Sequence, residues 1–163
     1  MEKETIEKIV DKGVLYEIYR ADDEGRFDVG HILKITDKDT LIAKVNKNYE
    51  SNGLLAIWSE DILMLKRNTR YLTRIQKVED QRDLNDDTYN DVNDSFDAVI
   101  KHALDNSLNV ELFFYPPFGD SIYGTLISYD GKIISLKEID TKGINDGIVY
   151  VQKNDLAACE CEI

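Results

Sequence analysis

The sequence predicts a mainly β protein built from two copies of one unit, each a short helix followed by a five-stranded antiparallel barrel. Three observations predict it. The chain repeats itself without a gap: residues 30–61 recur as residues 124–155, a shift of 94 positions (124 − 30). Short runs rich in β-branched and aromatic residues alternate with Gly, Asn and Asp turns. Each series of such runs is preceded by one amphipathic segment of helical period.

The repeat places Gly30 on Gly124, Lys38 on Lys132, Gly53 on Gly147 and Asp61 on Asp155. Apolar positions follow, with Val45 on Ile139, Leu54 on Ile148 and Ile57 on Val151. A chain of 163 residues then divides into residues 1–78, an acidic linker over 79–95, and residues 96–163. Units of about 70 residues have modest cores, so the two are expected to pack together or to oligomerise.

In the first unit, Ile6, Ile9 and Val10 predict a helix over residues 2–12, with Gly13 placed to end it in a left-handed conformation. Strands are predicted over 14–20, 28–36, 40–46, 54–58 and 62–67. The last two are almost wholly apolar, which predicts burial on both faces or an edge covered by the other unit. Residues 68–78 read as a short helix or an extension of the fifth strand. Tyr71, Ile75 and Val78 share one side of it and Arg70, Arg74 and Lys77 another.

In the second unit, Ser95 is placed to cap a helix over 96–106, whose stripe is Phe96, Val99, Ile100, Ala103 and Leu104. Strands are predicted near 109–115, 121–129, 132–139, 147–152 and 155–162. Pro116 and Pro117 fall in a hairpin loop, and Asp130-Gly131 is a two-residue hairpin signal. Gly30 and Gly124 stand at equivalent points early in the second strands, where a bend or a close backbone approach is expected.

The net charge of −12 is uneven: zero over residues 1–78, −6 over 79–95 and −6 over 96–163. An acidic chain argues against a generic nucleic-acid binder. The one basic concentration is Lys66, Arg67, Arg70, Arg74 and Lys77, a candidate contact for an anion or an acidic partner. The acidic linker that follows it is placed to fold back and mask it. Phe118, in a Pro-Gly loop, is the candidate exposed aromatic, and Trp58 is assigned to the core. His31 reads as a half-exposed strand residue and His102 as a surface one. Cys159 and Cys161, about 6.6 Å apart along one strand face, read as reduced core thiols.

No phosphate loop, nucleophile elbow, metal motif or dinucleotide fingerprint occurs in the sequence, which predicts a non-enzymatic chain without metal or cofactor. No apolar run approaches the length of a membrane span and the charged N-terminus is unlike a signal peptide, so a cytoplasmic location is expected.

The second unit carries a family resemblance. VELFFY, a loop with Gly119 and then GTLISYDGKIISLKEID is similar to the first motif of the Sm-like family: a strand, a glycine opening a bent second strand, an Asp turn and a third apolar strand. GIVYVQKNDLAACE resembles that family's second motif, two strands joined by a very short turn. The motifs are loose, and other SH3-like barrels satisfy them as well. The resemblance implies binding of uridine- or adenine-rich RNA through the turns between strands two and three and between strands four and five. Those turns are Asp37-Lys38-Asp39 with Ser59-Glu60-Asp61, and Asp130-Gly131-Lys132 with Lys153-Asn154-Asp155. The later turns lack the Arg-Gly or Lys-His pair of the family, and Glu60 and Asp61 would repel phosphate. The expected function is a binding or assembly module with a protein partner or self-association, and RNA binding is its alternative.

Overall fold

The computed structural model describes residues 1–21, 25–76, 89–118 and 121–162. Among these the chain forms ten strands and three α-helices. They are α1 (Lys3–Ile9), β1 (Leu15–Arg20), β2 (Asp28–Ile35), β3 (Asp39–Val45), β4 (Ser51–Trp58), β5 (Ile62–Lys66), α2 (Arg70–Ile75), α3 (Ser95–Asn106), β6 (Asn109–Phe114), β7 (Ser121–Tyr129), β8 (Ile133–Ile139), β9 (Asn145–Gln152) and β10 (Leu156–Cys161). A single 3₁₀ turn joins β4 to β5 (Ser59–Asp61) and β9 to β10 (Lys153–Asp155).

The repeat survives in three dimensions down to its irregularities. Gly30 pairs with Lys44 as Gly124 pairs with Glu138, and Leu41 pairs with Ala56 as Ser135 pairs with Tyr150. The β2–β3 register slips between Ile32 and Lys34, and the β7–β8 register slips at the equivalent place, between Leu126 and Ser128. Turn chemistry repeats too. The Thr36 hydroxyl accepts from the amides of Lys38 and Asp39, and the Asp130 carboxylate accepts from those of Lys132 and Ile133.

The expected pair of closed five-stranded barrels, Sm-like or otherwise SH3-like, does not form. All ten strands belong to one open antiparallel sheet in the order β5-β1-β2-β3-β4-β10-β6-β7-β8-β9. The physical reason lies at β4. Its free edge is taken by β10, the last strand of the second repeat, and so does not return to β5. Ile57 pairs with Ala158, Ala56 with Cys159, Leu55 with Glu160 and Leu54 with Cys161. Both strands are therefore buried on both faces, which for β4 is what its apolar run predicts. β5 has a similar sequence but lies at the end of the sheet. Leu63 and Met64 are exposed there, against the expectation of burial.

One helix covers the joint. The Asp94 carboxylate, one residue before the expected cap, accepts from the Asp97 amide and starts α3. Ser95 is the first helical residue, and its amide donates to the buried Asp39 carboxylate of the first repeat, 2.9 Å away. Ser107, left-handed at φ 54°, ends the helix. Phe96, Val99, Ile100 and Ala103 pack against Leu41, Leu54 and Ala56 of the first repeat and Val110, Leu112, Leu136 and Cys159 of the second, a single core shared by both. The other face of β1 to β4 has its own core of Tyr16, Ile18, Ile32, Ile42, Leu55 and Ile57, closed by Ile6 of α1. α1 is shorter than predicted, and Gly13 takes its left-handed conformation beyond the helix end. In α2 the buried residues are Leu72 and Ile75 while Tyr71 is 40% exposed; of the predicted apolar side Ile75 is thus buried, and Val78 lies outside the described residues.

Candidate interaction surface

The β4–β10 joint is the best-built contact between the repeats. Lys44 of β3 reaches across it to Glu160 at 2.5 Å and also holds Asp28 at 3.2 Å. Burial works against the Lys44 charge, but Asp28 and Glu160 outweigh it and hold its pKa above the usual lysine value. Burial lifts the Glu160 carboxyl above its usual range, against the pull of Lys44. Trp58 stacks on Phe96 with ring centroids 4.6 Å apart, and its indole N–H donates to the Leu156 carbonyl at 2.8 Å. Trp58 is thus half-buried at the joint, beside Cys159 and Cys161, both free buried thiols.

The turns carried over from the resemblance come together in pairs. The Ser59 amide donates to the Lys38 carbonyl, and the Lys153 amide donates to the Lys132 carbonyl, each at 2.8 Å. Their side chains are engaged elsewhere. Asp37 is exposed and pairs with Lys3 at 2.6 Å. Asp39 is buried and bonds the Thr36 hydroxyl as well as the Ser95 amide. Lys153 is held by Asp94 at 2.7 Å and Asp97 at 2.8 Å, and Asp97 also accepts from the Tyr129 hydroxyl. Burial opposes the Lys153 charge, yet the hydrogen bonds to the two aspartates raise its pKa well above the usual value. Tyr129 is pushed up to about 12 by burial and by Asp97. Lys38, Asp130 and Lys132 are exposed.

The basic segment is dispersed. Lys66 lies over the Tyr19 ring, 4.6 Å from its centroid, and Arg67 pairs with Asp11. Arg70 and Arg74 are exposed on α2, with no acid paired to them among the described residues. Lys77 and residues 79–88 of the acidic linker lie outside the described residues, and with them the expected mask. His31 is buried where half-exposure was expected. Its ring meets Tyr49 edge-on, and burial lowers its pKa. Phe118 is 79% exposed, in line with the surface position assigned to it.

Sequence reasoning missed a different feature. In the first repeat, Leu54 and Ala56 of β4 are buried under α3, and Leu33 packs beside them. Their equivalents 94 positions on are Ile148, Tyr150 and Ile127, which are 58%, 71% and 51% exposed. Ile133, the first residue of β8, adds to this face. Around the rim of β9, Phe114, Ile122, Val149 and Val151 line an open groove beside Phe118. The signal was in the sequence: the apolar pattern of β9 matches that of β4, so both strands present a face that needs covering.

Among the described residues no three His, Cys, Asp or Glu side chains gather to hold a metal ion, and no helix is long and apolar enough to cross a membrane. No protein-family model, no curated protein and no solved structure matches this chain.

Proposed function

We propose that this chain is a binding or assembly module, non-enzymatic, that engages a protein partner through the apolar face and free edge of β9. One observation carries the reading. The same face of the same strand is buried under α3 and β10 in the first repeat and bare in the second, where Ile148 and Tyr150 are more than half exposed. Large apolar side chains clustered on an unpaired sheet edge are the usual mark of an interaction site. The overall acidity disfavours a phosphate backbone as the ligand.

The test places a photo-reactive amino acid at Tyr150 in the full-length protein and irradiates cells expressing it. Protein adducts at that position support the reading. Nucleic-acid adducts, or none above a control placed at exposed Lys142 in the loop before β9, overturn it. Nucleic-acid adducts would favour RNA binding, for which exposed Arg70 and Arg74 are the candidate contacts.

A further inference from the structure

We propose that the partner strand is β5 of a second copy of this chain, laid antiparallel along β9 in the register that joins β4 to β10 within one chain. Shifting β4 forward and β10 back by 94 positions converts the observed pairs into Val151 with Met64, Tyr150 with Leu65, Val149 with Lys66, and Ile148 with Arg67. This rests on the reading of the β9 face as an interaction site and names its occupant.

Four features support that occupant. The first is charge. The ion pair that crosses the internal joint, Lys44 with Glu160, maps onto Glu138 and Lys66. Both signs reverse, so the pair remains complementary. Glu138 is half-buried without a cationic partner among the described residues, and Lys66 is exposed at the other end of the sheet.

The second is shape. Within the chain, Phe113 and Ala158 of the second repeat close over Arg20, Leu55 and Ile57 of the first. The equivalents of those three are Phe114, Val149 and Val151, which line the open groove beside β9. The equivalents of Phe113 and Ala158 are Tyr19 and Met64, and Met64 is 39% exposed on β5. An apolar groove at one end of the sheet thus meets an exposed apolar side chain at the other, at matching positions.

The third is backbone space. Gly53 and Gly147 are equivalent and both have positive φ, 100° and 118°. A Cβ on Gly53 would sit 1.7 Å from the Cys161 carbonyl oxygen of the neighbouring strand, whereas a Cβ on Gly147 would meet nothing within 4 Å. The Arg67 carbonyl of a second copy is the group that the repeat assigns to that space.

The fourth is exposure of both edges. β5 and β9 end the sheet, and a strand with unpaired N–H and C=O groups is a template for another. The Trp58–Phe96 stack maps onto Gln152 and Glu2, two polar groups, so the joint between chains is weaker than the one within a chain and depends on concentration. The contact is head-to-tail. It adds chains until the rotation closes a ring or extends an open filament.

Sedimentation of the purified full-length chain over rising concentration tests this, with charge reversal as the specific probe. Wild type should form species larger than a dimer. Lys66→Glu alone and Glu138→Lys alone each set like charges face to face and should weaken association by on the order of 100-fold. The double variant should restore it, and circular dichroism should show all three folded. As a check on register, Leu65→Cys and Tyr150→Cys proteins mixed and oxidised should cross-link to each other and neither should cross-link alone. A monomer at all concentrations, or association indifferent to both reversals and without that cross-link, overturns the inference. Photo-adducts at Tyr150 to a different protein would then leave the binding-module reading standing while removing self-assembly from it.

Discussion

The Lys44 ammonium lies 2.5 Å from a Glu160 carboxylate oxygen, joining residues 116 positions apart across the line where the two repeats meet. Both side chains are nearly buried, 13% and 11% exposed. Glu160→Ala should therefore leave a buried cation with Asp28 as its one remaining partner among the described residues, and cost roughly 2–4 kcal/mol. Replacing both, Lys44→Met with Glu160→Leu, should recover most of that loss, since Asp28 keeps Arg20 at 3.4 Å. Urea unfolding midpoints decide it. A single variant as stable as wild type would show that the pair does not hold the joint.

Gly124 is a site of close backbone approach. A Cβ there would lie 2.3 Å from the Lys137 carbonyl oxygen, and one on Gly30 would lie 2.5 Å from that of Ala43. Valine is the better strand former, yet Gly124→Val should lower stability by about 1–3 kcal/mol, because strand backbone has no room to yield. The melting temperature is the readout, and an unchanged or higher value would disprove the close approach.

Lys153, Tyr129 and Asp97 form one network whose pH dependence has a definite sign. Lys153 and Tyr129 have raised pKa values in the fold, Tyr129 to about 12. The stability they contribute is fully present below pH ~10, where both are protonated even when unfolded, and is lost as pH rises through the raised values. Asp97 is depressed because its bonds to Lys153 and Tyr129 outweigh burial, so its contribution is present above about pH 4 and is lost as pH falls through the lowered value. Denaturant unfolding across pH should show stability falling on both sides. Tyr129→Phe should flatten the alkaline limb, and an unaltered limb would mean that other groups govern it.

Much of the local architecture was legible in the chain itself. Alternating apolar residues, Asp130-Gly131 and the run from Asp140 to Ile144 specify strands and turns through short-range sterics and side-chain hydrogen bonds, which the repeat then states twice. The candidate surface was only half legible. Phe118 stands exposed after Pro116 and Pro117, but Lys153 and Asp39, read as turn residues facing a ligand, are consumed by α3 and its cap. No local signal marks that, since their partners lie more than fifty positions away.

What the sequence determined by itself was the local pattern: the helical segments, the strand-forming runs and the turns between them, stated twice. What only the tertiary structure decided was which edges meet. β4, β5, β9 and β10 all carry apolar runs, and by pattern alone each could close its own unit. Pairing of β4 with β10 follows because α3 lays Phe96 and Val99 over strands of both repeats at once, burying Leu54, Ala56 and Cys159 under one helix. The free energy of that burial depends on surfaces brought together from distant parts of the chain, and it leaves β5 and β9, the repeat equivalents of β10 and β4, without a strand on their outer side among the described residues.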